Sequence, residues 1–164
     1  MPRLTTRRRF ALGATICAVL LSVGYFLQFA RDIEPCPLCI LQRLAFFAIG
    51  VTCLAGAASG IARGGARLLF ALIALFAVLG ASVAGRQVWL QSLPADQVPA
   101  CGPGLDYMVE NFPLLKTLSM ILRGSGECAE NSWQFLGLGM AAWALIWFVL
   151  LGAVAARSAL ERSR

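Results

Sequence analysis

Apolar residues fill four long stretches of this chain, and polar residues are confined largely to the segments between them. The stretches run roughly over residues 10–30, 44–62, 68–85 and 133–156, and none contains a charged side chain. Each is long enough to cross a hydrocarbon core of about 30 Å. A backbone in lipid must satisfy its own hydrogen bonds, so each stretch is predicted to be a helix. The expected fold is all-α: one integral membrane domain over residues 1–164, a four-transmembrane-helix bundle. Two polar loops lie on one side, at about 31–43 and 86–132. Within the longer loop, Leu114, Leu115, Leu118, Ile121 and Leu122 recur at helical spacing, with Lys116, Thr117, Ser119 and Arg123 on other faces. Too short to span, this segment is predicted to be an amphipathic helix lying at the bilayer interface.

Composition agrees with that class. The chain is 59% hydrophobic and 13% charged, with mean hydropathy +0.76, outside the range of a soluble domain. Charge then orients it. Arg3, Arg7, Arg8 and Arg9 precede the first span, Arg63 and Arg67 link the second to the third, and Arg157, Arg162 and Arg164 follow the fourth. Seven acids lie in the other two loops: Asp32, Glu34, Asp96, Asp106, Glu110, Glu127 and Glu130. Basic segments stay on the cytoplasmic side, so both termini are expected there and both acidic loops opposite. The net charge of +6 follows from topology and calls for no nucleic-acid partner. Thr6-Arg7-Arg8-Arg9-Phe10 loosely resembles an export signal, but the apolar run behind it is too long for one. A retained first span is expected.

The six cysteines divide by position. Cys17 and Cys53 fall inside spans, where a thiol acts as a small apolar side chain. Cys36, Cys39, Cys101 and Cys128 fall in the non-cytoplasmic loops, where disulfides form and persist. Cys36-Pro37-Leu38-Cys39 has the spacing of a dithiol that closes on itself and reopens readily. No histidine occurs, so His-ligated zinc and haem attachment are excluded. A four-cysteine metal site would need a second close pair, whereas 26 residues separate Cys101 from Cys128, and no metal is expected.

With a helix beginning near Pro37, Cys39 lies in its first turn, where free amides and the helix dipole favour an anion. Arg43 follows at i+4 on the same face. Both features are expected to raise the thiolate population of Cys39. Alone, Arg43 would read as a snorkelling anchor; beside a Cys-x-x-Cys it reads as a donor for a ligand carbonyl. Proline and glycine crowd Cys101, which predicts irregular chain there, as Gly124 and Gly126 do before Cys128. That pair could be a structural disulfide closing the loop, worth about 3 kcal/mol, or a second redox couple.

The four spans, the motif Cys36 to Cys39 with Gln42-Arg43 behind it, and Pro99-Ala100-Cys101 all resemble the DsbB family. So does the long segment from Gly126-Glu127-Cys128 to Phe135-Leu136-Gly137-Leu138. These are bacterial inner-membrane proteins that re-oxidise the periplasmic thiol oxidase DsbA with quinone. The resemblance implies that the partner thiolate attacks Cys101, releasing Cys128. Cys128 then exchanges onto Cys36, and Cys39 donates to a membrane quinone, ubiquinone or menaquinone, contacted by Arg43. DsbA is itself strongly oxidising, at about −120 mV, so its acceptor must sit higher still. Some relatives carry a histidine near the stretch from Gly85 to Ser92. Its absence here leaves Arg86 or Gln91 as candidates for a second quinone contact. Two other readings share some of these features. A vitamin K epoxide reductase-like enzyme also couples thiols to quinone, but its loop cysteines precede the membrane pair. A non-catalytic four-span scaffold would use the loop cysteines only structurally.

Overall fold

Pro37 needs no amide proton at the first position of a helix, and the chain takes up helix there rather than at the start of its apolar run. A computed structural model describes residues 5–31, 35–59, 63–94, 96–98, 105–124, 126–129 and 133–161. Its long helices are α1 (Thr6–Arg31), α2 (Pro37–Ala58), α3 (Arg63–Gln91) and α7 (Met140–Leu160). Between α3 and α7 lie α4 (Leu105–Asn111), α5 (Leu114–Arg123), α6 (Gly126–Ala129) and a hairpin of β1 (Gln134–Phe135) and β2 (Leu138–Gly139). The four long helices are each long and apolar enough to cross a membrane. Only 17% of the apolar window of α7, and 28% of each of the other three, is buried. Most apolar side chains thus face outward, which suits lipid and would be untenable in water.

Helix α1 lies along α2, α2 along α3, and α3 along α7. Stacked rings fasten the pairs that are not sequence neighbours. Phe10 of α1 lies on Phe70 of α3, with centroids 4.2 Å apart, and Phe46 of α2 lies on Phe148 of α7 at 4.0 Å. Cys17 and Cys53 are buried in this same apolar core. Where α1 begins and α7 ends, Arg9 joins the two helices. Its Nη1 donates to Ser158 Oγ at 3.1 Å and to Glu161 Oε2 at 2.7 Å.

Several boundaries differ from the sequence expectation. Helix α3 continues six residues past Gly85, because the polar side chains of Arg86 and Gln87 find partners that let the helix go on. Residues 133–139, read as the start of the fourth span, form the hairpin instead, with Gln134 opposite Gly139 and Phe135 opposite Leu138. Leu136 and Gly137 both take positive φ, 53° and 77°, as the tight two-residue hairpin turn requires. Hydropathy counts these residues as apolar but is blind to the backbone reversal that Gly137 permits. Finally, α6 is helical where irregular chain was expected before Cys128, and α4 forms where no helix was predicted.

The predicted amphipathic helix is present as α5. Its apolar residues divide between two directions. Ile121 is buried with Thr117, whose Oγ1 donates to Met108 O at 3.0 Å and ties α5 to α4. Leu114 and Leu115 are 79% and 84% exposed.

Candidate functional site

The first turn of α2 presents the dithiol. Cys36 is the N-cap residue, with extended backbone, and its carbonyl accepts the first helical bond from Ile40 N at 3.1 Å. Cys39 is three residues on, in the first turn as expected, and the two side chains converge. Cys36 Sγ donates to Cys39 Sγ across 3.1 Å, and both are thiols in this structure.

The long loop delivers a third sulfur. Cys128 of α6 is fully buried in a small apolar cluster with Cys36, Leu38, Leu90, Met108 and Ile121. Its side chain is hydrogen-bonded with Cys36. That bond first, then the one to Cys39, then burial, push the Cys36 thiol far above the ordinary thiol range. Cys36 is therefore the protonated sulfur that meets both Cys39 and Cys128. Cys101 lies outside the described residues.

Two contacts seat α5 and α6 over the dithiol. Arg86 donates from Nε to Leu122 O at 3.3 Å and from Nη2 to Arg123 O at 3.0 Å, capping the last turn of α5. Its guanidinium also lies 4.2 Å over the ring of Trp89. Gly124 then turns the chain with φ +79°, so close to α3 that a Cβ would fall 2.3 Å from Leu90 Cδ1. Arg86 thus holds the loop, and it is not among the residues that line the cavity beside Cys39.

Cys39 has a second face. It lines a cavity of about 230 Å3 between α1, α2, the hairpin and α7. The walls are overwhelmingly apolar, with Leu20, Val23, Phe46, Trp133, Trp143 and Trp147 prominent; Gln42 and Arg43 supply the polar groups. The hairpin is fixed as one wall by Trp143 Nε1, which donates to Phe135 O at 3.1 Å. Arg43 reaches across to α1, where it bonds Gln28 Oε1 through Nη1 and Gly24 O through Nη2 at 3.0 Å, and lies 5.0 Å over the Tyr25 ring. It shares the cavity with Cys39, but its hydrogen bonds run to α1, while the Cys39 sulfur is partnered by Cys36 and Gln87. A guanidinium carries five N–H donors, so those not held by Gln28 and Gly24 remain for a ligand.

Sequence reasoning missed three glutamines. Gln28 orients Arg43, and Gln42 lines the cavity. Gln87 donates from Nε2 to Cys39 Sγ at 3.3 Å and to Cys36 Sγ at 3.4 Å. Gln91 is not among the cavity-lining residues. The available signal was the rarity of polar side chains inside apolar helices, where each needs a partner and tends to mark a working site.

The chain matches the family model for DsbB, Disulfide bond formation protein DsbB, over residues 6–157. Disulfide bond formation protein B of Nitrosococcus oceani is 49% identical over 152 residues, covering 93% of this chain and 90% of that relative. The protein of the same name from Hahella chejuensis is 46% identical over 161 residues, 98% of each chain. Disulfide bond formation protein B 1 of Pseudomonas aeruginosa is 40% identical over 149 residues, 91% of each. With four apolar helices and a thiol pair at the head of α2, the chain belongs to the DsbB family of disulfide-forming membrane oxidoreductases.

Proposed function

We propose that this protein re-oxidises a DsbA-like periplasmic dithiol oxidase, passing electrons through Cys101 and Cys128 to Cys36 and Cys39 and on to a quinone of the inner membrane. The observation that carries this reading is the position of Cys36 between two different sulfurs, Cys128 from the loop and Cys39 on the cavity wall. Thiol–disulfide exchange needs an attacking sulfur, a central sulfur and a leaving sulfur in contact. With Cys36 and Cys39 joined as a disulfide, Cys128 thiolate attacks Cys36, and the electron pair leaves on Cys39. The preceding exchange begins with a partner thiolate attacking Cys101 of a Cys101–Cys128 disulfide, forming a mixed disulfide and releasing Cys128.

The cavity suits a quinone by the chemistry of its walls. Flat aromatic side chains and aliphatic residues match a ring with an apolar tail, and the amide of Gln42 and the guanidinium of Arg43 offer donors to carbonyl oxygens. A bound quinone supplies a two-electron, two-proton acceptor. Cys39 is the sulfur that faces it, and Arg43 and Gln42 are the residues that orient it.

The basic segments support a topology with cytoplasmic termini and a periplasmic redox end. Arg7 and Arg9 lie at one end of the bundle and Cys36, Cys39 and Cys128 at the other. The leucines of α5 supply an apolar face for the periplasmic bilayer surface.

The test is turnover in detergent or nanodiscs with reduced DsbA and a short-chain quinone. Stoichiometric loss of DsbA thiols and formation of quinol is the expected result. Thiol loss without quinol, or no loss at all, would overturn the reading.

A further inference from the structure

Two glutamines form the polar centre behind the dithiol. Gln42 of α2 and Gln87 of α3 are 5% and 3% exposed, in helices that are otherwise apolar. Gln42 Nε2 donates to Gln87 Oε1 at 2.6 Å. An amide is planar and two-edged, so engaging its oxygen turns its nitrogen the other way. That nitrogen meets Cys39 Sγ at 3.3 Å and Cys36 Sγ at 3.4 Å. Cys39 Sγ also lies 3.5 Å from Gln87 Oε1, to which a thiol can donate. Gln42 competes for that oxygen, so once Cys39 has lost its proton the contact left to the sulfur is the one from Nε2. A thiolate accepts hydrogen bonds and cannot donate them, so the amide N–H edge stabilises the anionic sulfur.

Resting on the electron path proposed above, we propose that Gln87 is a catalytic residue of the dithiol centre and that Gln42 is its positioning residue. When Cys128 thiolate attacks Cys36 Sγ, a Cys128–Cys36 bond forms and the Cys36–Cys39 bond breaks. The electron pair departs on Cys39, and no proton moves. Gln87 Nε2 stands at hydrogen-bond distance from the atom that receives the pair. The amide does not titrate at any pH at which the protein is folded, so its donation is constant while the sulfurs change state. The titratable groups around it are Cys36, Cys39 and Cys128. Of the nearby cations, Arg43 is tied to α1 and Arg86 to the carbonyls of α5.

The obvious alternative is that the two amides only satisfy one another in an apolar interior. Removing both partners of a buried bond is close to neutral for stability, whereas removing one strands the other. The experiment compares Gln87→Met, Gln42→Met and the double variant. Cys39 alkylation rate is followed against pH by peptide mass spectrometry, with reduced protein and with neither partner nor quinone present. Electron arrival at Cys39 is timed separately in a single turnover with reduced DsbA, and thermal stability is measured in parallel.

In Gln87→Met the alkylation midpoint should rise by about one pH unit, a loss of thiolate that approaches tenfold below the midpoint, and single-turnover transfer should slow several-fold. Gln42→Met should shift the midpoint the same way but less, and it carries the test if Gln87→Met folds poorly. The double variant should regain thermal stability while keeping the raised midpoint. An unchanged midpoint in Gln42→Met and in whichever other variants fold, or recovery of both stability and midpoint in the double variant, would overturn the assignment. Because the alkylation arm contains no quinone or partner, failure of the electron path shows separately, as wild-type protein that does not oxidise DsbA.

Discussion

Arg43 of α2 donates through Nη2 to the carbonyl oxygen of Gly24 of α1, 3.0 Å away, and so closes one wall of the cavity that Cys39 shares. A helix-interior carbonyl already accepts one backbone bond, and its second lone pair takes the arginine. Gln28 and the Tyr25 ring hold the same guanidinium. The residue therefore has two separable duties, fixing α1 to α2 and presenting its remaining donors to the cavity.

Arg43→Ala should accordingly lower stability by about 1.5–3 kcal/mol, the range for hydrogen bonds to a charged group. It should also raise the apparent quinone KM tenfold or more, while mixed-disulfide formation between partner and Cys101 continues. Arg43→Lys should recover part of both losses, keeping the charge but not the fork. Gln28→Ala separates the duties: stability should fall by about 1 kcal/mol with a smaller change in KM. Equal KM values for wild type and a folded Arg43→Ala protein would remove Arg43 from the site.

Serine at Cys36, Cys39, Cys101 or Cys128 should each abolish turnover with DsbA and quinone, since one missing sulfur breaks the relay. Alanine at Cys17 or Cys53, which lie buried in the helix core, should leave most activity in place at a cost of about 1 kcal/mol in stability. Turnover by a Cys128→Ser protein at the wild-type rate would show that electrons bypass α6.

The reactivity of Cys36 should follow from its raised thiol pKa, whose largest cause is the bond with Cys128. A thiol held above its unfolded value of about 8.5 stays protonated at neutral pH. Alkylation of Cys36 in the reduced protein should therefore be slow at pH 7–8 and rise only on the alkaline side. Cys128→Ala should lower the midpoint. The linked stability is fully present below about pH 8.5 and is lost as pH rises through the folded value. Chemical denaturation at pH 7 and pH 10 should show the decline. Equal rates for Cys36 and a model thiol at pH 8 would contradict the buried contact between Cys36 and Cys128.

Gly124→Ala tests how α6 is seated. A side chain there must adopt positive φ and collide with Leu90, so the loop has to shift. Expected is a loss of about 1–3 kcal/mol and slower exchange between Cys128 and Cys36, with attack by the partner at Cys101 unaffected. Measured against Leu90→Ala alone, Gly124→Ala should cost less than it does in the wild type, since only the collision is relieved and the positive φ remains. Normal transfer rates in Gly124→Ala would mean that the position of Cys128 does not depend on this turn.

The leucines of α5 should act through lipid. Leu114 and Leu115 are exposed, and burying each in a bilayer is worth about 1.5–3 kcal/mol. A Leu115→Trp reporter should show blue-shifted fluorescence that is quenched by brominated lipid. Adding Leu114→Ser should weaken that quenching. A water-exposed difference spectrum, Leu115→Trp minus the parent protein with its four native tryptophans, would place α5 off the membrane.

Membrane class, four helices, and the separation of Cys17 and Cys53 in the helix core from Cys36, Cys39 and Cys128 at the head of α2 were legible in the sequence, because each rests on local chemistry. An uncharged run of some twenty residues has few ways to satisfy its backbone except as a helix, and a Cys-x-x-Cys is close in any first turn. The amphipathic α5 was legible for the same reason, since its period is written in consecutive residues. What only the tertiary structure decided depends on distant partners. Hydropathy ended the third span at Gly85, but helix α3 runs on to Gln91 because Arg86 caps α5 and Gln87 meets the thiols. Hydropathy likewise included Trp133 to Gly139 in the fourth span, where the chain reverses and puts two aromatic rings on the cavity wall. The contact of Cys128 with Cys36, the turning of Arg43 toward α1 and the clasp between Gln42 and Gln87 join residues 15 to 92 positions apart. No local period records such pairs; they form only when packed helices leave a polar side chain one partner within reach.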